Sequence, residues 1–180
     1  RAIFILLSLL VSAIYTVTAF FFDTNITIID IIDRLPLIVS PIRLTYTMII
    51  FIIIGLAYYC VNAFKNRISV IQMLLFIINS LLQIVAVFYW YHEITMFALL
   101  ALILQIIGLF VLYITYSMTT GQLKERLPIA AWYSWTVFFT LITVNYNMVV
   151  YEWSGFNLSD GFWAVVLLTI GTAFALHSRY

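Results

Sequence analysis

Apolar residues in this chain run in long blocks parted by short polar breaks, and they do not alternate with polar ones. A helix rises 1.5 Å per residue, so about 20 apolar residues cross the roughly 30 Å of a bilayer's hydrocarbon. Six blocks meet that length or approach it: residues 2–22, 44–64, 69–91, 94–117, 128–151 and 161–176, the last being the shortest. A membrane barrel would show a two-residue alternation, which is missing. Backbone groups in lipid must then be satisfied inside each segment. The pattern predicts an all-α polytopic bundle of six transmembrane helices, one integral membrane domain over residues 1–180. A long connection with two prolines, Pro36 and Pro41, occupies residues 23–43.

Within the blocks, the few polar residues recur at helical spacing. Gln72, Phe76, Asn79, Gln83, Ala86 and Trp90 share one face of the third block. Trp132, Thr136, Thr140, Thr143 and Asn147 do the same on the fifth. Thr45, Gly55, Tyr59 and Asn62 share a face of the second, and Ala98, Ala101, Gln105, Gly108 and Thr115 share one on the fourth. Amides and hydroxyls are costly toward lipid, so these faces should turn inward. Two readings stand. One is interhelical hydrogen bonding and close packing through small residues. The other is a central pocket in which amides fix a ligand and aromatics supply contact area. Trp90, Trp132 and Trp135 fit such a pocket or an interfacial aromatic belt, whereas Trp153 and Trp163 fit the belt.

Composition agrees with a lipid solvent. The chain is 66% hydrophobic and 8% charged, where a soluble domain is nearer half and a quarter. Charge adds orientation. Alternate breaks, with both termini, carry Arg1, Lys65, Arg67, Lys124, Arg126 and Arg179 against the single acid Glu125. The other breaks carry Asp23, Asp30, Asp33, Glu93, Glu152 and Asp160 against Arg34 and Arg43. The positive-inside rule then puts both termini in the cytoplasm and residues 23–43 outside. The net charge of +1, without a basic stripe, excludes nucleic acid as a partner. No charged residue lies near the middle of a block, which argues against a charge-coupled pump. The single cysteine, Cys60, permits no internal disulfide and reads as a small packing residue. "HEITM" starts like a zinc-protease motif, but Met96 stands where the second histidine is needed. His92 and Glu93 therefore read as a tight outer turn. No catalytic or metal-binding residue is assigned.

Four stretches, in order, carry a family resemblance: "DIIDRLPLIVSPIRLTYTMIIFIIIGL" (30–56), "QIVAVFYWYHE" (83–93), "RLPIAAWYSWTVFFTLITVN" (126–145) and "EWSGFNLSDGFWAVVLL" (152–168). Together they resemble the tryptophan-rich sensory protein family, TspO/MBR, which includes the translocator protein and the peripheral benzodiazepine receptor. They are most similar to its longer bacterial branch with extra helices. The chain departs from the family at Ile49 and Ala86, where the family has tryptophans, and at Gln83, where it has asparagine. Trp90 and Trp135 keep family positions. The resemblance implies a receptor or sensor in a bacterial cytoplasmic membrane. Its ligand would be a hydrophobic molecule such as a porphyrin or other tetrapyrrole, under a lid formed by residues 23–43. It implies no obligatory cofactor. Stripes and resemblance together make Tyr59, Asn79, Gln83, Trp90, Trp132, Trp135 and Thr136 the candidate ligand-binding residues. Lipid and a hydrophobic small molecule are the expected partners, with a homodimer also open. A transporter or exporter of small hydrophobic molecules, an enzyme degrading a bound porphyrin in light, and an assembly partner without a small ligand are the alternatives.

Overall fold

The computed structural model describes residues 1–22, 26–34, 43–65, 68–116 and 123–152, together with Phe162, Trp163, Val165, Val166, Thr169 and Thr172. Every regular element among these residues is helical. Helix α1 (Ala2–Val17) runs into a π-helical turn at Thr18–Phe22, and a short helix α2 covers Ile28–Asp33. A 3₁₀ turn (Arg43–Thr47) leads into α3 (Met48–Lys65), followed by α4 (Val70–Tyr91), α5 (Thr95–Ile114) and α6 (Leu123–Val150). Five segments are long and apolar enough to cross a membrane: Ala2–Phe22, Thr45–Lys65, Val70–Tyr91, Thr95–Ile114 and Glu125–Val150. The sixth block, 161–176, lies outside the described residues except for the six just named, which are helical.

Local chemistry sets several boundaries. Ser69 and Gln72 form a capping box at the start of α4. The Gln72 amide N–H donates to Ser69 Oγ at 3.1 Å, and the Ser69 N–H donates to Gln72 Oε1 at 3.2 Å. At the other end of α4, Glu93 takes a left-handed backbone (φ 58) and reverses the chain within the turn before α5. Pro128 was expected to open the fifth span. Instead α6 begins at Leu123 and Pro128 lies inside it. A proline this near the N-terminus forfeits a bond only to the helix's first turn. Gly55 on α3 faces Pro128 across the α3–α6 contact. A Cβ there would lie 3.7 Å from Pro128 Cβ.

The five long helices close into a ring in the order α1, α3, α6, α5, α4 and back to α1. Their apolar side chains (Phe4, Leu7, Phe51, Leu100 among others) face outward, while Asn79, Gln83, Gln105, Thr143 and Asn147 are buried. Lipid offers no hydrophobic drive between helices, so the polar groups pair inside and the aliphatic ones meet the tails.

The expected long connection contains a helix. In α2, Thr27 and Asp30 form a second capping box, and Ile28, Ile29, Ile31 and Ile32 are all buried. They join one core cluster with Phe20, Tyr46, Trp90, Trp135, Phe139 and Tyr146. A second cluster, toward the end holding Arg1 and Ile68, gathers Leu9, Tyr59, Phe76, Leu109, Tyr116 and Trp132.

Candidate functional site

Among α1, α3, α4 and α6 lies a cavity of about 30 Å³. Helix α1 lines it with Leu9, Ser12, Ala13 and Thr16, and α3 with Ile49, Ile52, Ile53 and Leu56. Gln83 comes from α4, and Trp132 and Trp135 come from α6. None of these residues is charged. The volume holds about two water molecules, since each needs roughly 10–15 Å³.

Gln83 is held from two sides. Its Oε1 accepts from Gln105 Nε2 at 2.9 Å and from Trp132 Nε1 at 3.5 Å. Gln105 reaches it from α5, so one carbonyl ties three helices together. Trp135 lies parallel to Phe139 (6.4 Å between centroids, 9°) and edge-on to Tyr46 (6.5 Å, 80°). Trp132 packs on Phe76, which stacks on Tyr59 at 5.3 Å. Ser12 Oγ donates to Leu9 O at 3.1 Å, but Thr16 Oγ1, equally buried, has no partner among the described residues.

Of the seven residues proposed from sequence, the structure brings Gln83, Trp132 and Trp135 onto one cavity. The other four lie elsewhere. Trp90 is fully buried in the core cluster that α2 joins and donates Nε1 to Thr143 Oγ1 at 2.9 Å. Thr143 continues a satisfied network: Asn147 Nδ2 donates to Thr143 O (2.9 Å), and Thr95 Oγ1 donates to Asn147 Oδ1 (2.6 Å). Asn79 packs into the α4–α5 seam against Gly108, its Nδ2 donating to Leu75 O at 2.7 Å. Thr136 donates back to Trp132 O at 2.9 Å. Tyr59 shares a 2.6 Å hydroxyl contact with Tyr116. Burial pushes the Tyr116 phenol up to about 12, so it stays protonated at neutral pH.

Two sequence ambiguities are resolved by burial. Trp90, Trp132 and Trp135 are 0%, 4% and 8% exposed, which rules out a lipid-facing belt for them. His92 and Glu93 are exposed in a turn, and Glu93 Oε1 accepts from Arg34 Nη1 at 3.2 Å, linking α2 to that turn. The contribution of α1 was missed, although Ser8, Ser12 and Thr16 recur every four residues along it.

A family model described as "TSPO-like protein" matches residues 1–180. The chain belongs to this TSPO-like family. Neither a curated protein nor a solved structure matches it. Family membership and five apolar spans make it an integral membrane protein. In this TSPO-like chain the third and fifth polar stripes are split between two tasks. Gln83, Trp132 and Trp135 form cavity wall. Trp90, Thr143 and Asn147 form interhelical ties, and Asn79 packs into the α4–α5 seam.

Proposed function

We propose that the protein is a TSPO-like receptor or sensor that binds a hydrophobic small molecule in the cavity between α1, α3, α4 and α6. The observation that carries this reading is the convergence of Gln83, Trp132 and Trp135 on a cavity that α1 and α3 complete with aliphatic side chains. Such a wall, mostly apolar with a few fixed polar groups, is the usual make-up of a small-molecule site. The tetrapyrrole implied by the family resemblance is one ligand of this class. A macrocycle needs a pocket on the order of 300 Å³ or more. At about 30 Å³ the cavity must widen to take it. The charge pattern supports an orientation with the α2 end outside and the termini cytoplasmic, and the family resemblance implies a bacterial cytoplasmic membrane.

Native mass spectrometry of protein purified in mild detergent tests the proposal. A hydrophobic small molecule should co-purify at defined stoichiometry and be lost in Ala13→Phe, which fills the cavity. Equal retention by both proteins would overturn it.

A further inference from the structure

We infer that the cavity recognises an uncharged hydrogen-bonding group, a hydroxyl or carbonyl, on an otherwise apolar molecule, with Thr16 as its main contact and Gln83 beside it. The inference rests on the ligand-binding reading above and narrows the ligand's chemistry.

Of the buried threonines among the described residues, Thr16 alone has no hydrogen-bond partner, while Ser80 Oγ and Tyr46 OH are buried without one elsewhere in the bundle. A helical threonine usually bonds its hydroxyl back to the preceding turn. Thr136, Thr140 and Thr143 on α6 all do so, at 2.9, 2.7 and 2.8 Å. Ser12 on α1 does the same. Thr16, 5% exposed and lining the cavity, has no hydrogen-bond partner among the described residues. A buried hydroxyl without a partner is unfavourable, and a polar group entering the cavity satisfies it. Gln83 complements it. Its carbonyl is taken by Gln105 and Trp132, which leaves the amide nitrogen to donate. A carbonyl accepts from both residues; a hydroxyl accepts from Gln83 and donates to Thr16.

Charge sets the limit. A carboxylate here would lose its hydration with no cation among the lining residues to replace it. Arg34 sits at the α2 end, paired with Glu93, and Arg1 lies at the opposite end. Size agrees, because about 30 Å³ admits a polar head and little more. Ala13, Ile52 and Ile53 are only half-buried, so the apolar body of the ligand lies along the α1–α3 seam.

Scintillation-proximity binding of radiolabelled hexadecanol, hexadecane and palmitate to the purified protein, at a pH where palmitate is ionised, tests this. Hexadecanol should bind saturably and palmitate at least ten-fold more weakly. Thr16→Val, nearly isosteric, should weaken hexadecanol by about five- to ten-fold, and Thr16→Ser should restore it. Hexadecane binding should be the same in all three proteins. Palmitate binding as tight as hexadecanol, or no effect of Thr16→Val where Ala13→Phe abolishes binding, would overturn the head-group assignment and leave the cavity as a ligand site. Saturable binding of none of the three would overturn both readings.

Discussion

At the scale of single residues, burial and hydrogen bonding separate wall from tie. Trp90 donates from α4 to Thr143 on α6 while filling space in the core cluster that α2 joins. Trp90→Phe loses that bond and part of the ring volume, so we expect a loss of about 1–3 kcal/mol in reversible detergent unfolding. Gly108 offers a sharper case. A Cβ there would sit 2.7 Å from Asn79 Oδ1, and the amide is held by its bond to Leu75 O. Gly108→Ala gains up to about 1 kcal/mol of helix propensity but forces this buried amide to move, at a cost of about 1–3 kcal/mol. The clash wins, and the variant is less stable. In an Asn79→Ala background the clash is gone and Gly108→Ala becomes neutral or stabilising. A double-mutant cycle measures the difference, and simple additivity would contradict the contact.

At the scale of elements, α2 is the part whose role depends on packing rather than on composition. Its four isoleucines are buried in one core cluster with Trp90, Trp135 and Phe139, and Arg34 ties it to Glu93. The packing outweighs the tie. Arg34 and Glu93 are 49% and 50% exposed, so Arg34→Gln should cost under about 1 kcal/mol, less at high salt. Ile31→Lys would bury a charge and should expel α2, with a loss of about 2–4 kcal/mol. Acrylamide quenching of tryptophan fluorescence should rise in Ile31→Lys and stay near wild type in Arg34→Gln. Unchanged quenching in Ile31→Lys would show that α2 does not shield the tryptophans.

The same element shows where sequence reading stops. The long helices are legible because a twenty-residue apolar run in lipid has few alternatives. Helix α2 is six residues with isoleucines on most sides, and neither length nor periodicity marks it as buried. Its capping residues, Thr27 and Asp30, were the available signal. The start of α6 differs because Pro128 reads as a helix opener, whereas a proline within the first turns is tolerated and the helix begins at Leu123.

At the scale of the molecule, the ring order α1, α3, α6, α5, α4 decides which polar stripes meet. Periodicity showed that the third and fifth blocks each had an inward face. It did not show that α1 and α3 would supply most of the cavity wall, because Leu9, Ala13, Ile52 and Leu56 are unremarkable in an apolar helix. Only their placement opposite Gln83, Trp132 and Trp135 gives them a role. The candidate residues Tyr59, Asn79, Trp90 and Thr136 share faces with the wall residues, yet each makes its side-chain hydrogen bond away from the cavity. A face narrows the choice of site residues, and the helix order completes it.

The central claim is that this wall holds a hydrophobic ligand. Titration of purified protein with a brominated single-chain alcohol, read as contact quenching of tryptophan fluorescence, tests it most directly, because Trp132 and Trp135 line the cavity. The account predicts saturable quenching in the wild-type protein, lost in Ala13→Phe. Quenching that rises without saturation, or that is the same in both proteins, would contradict it.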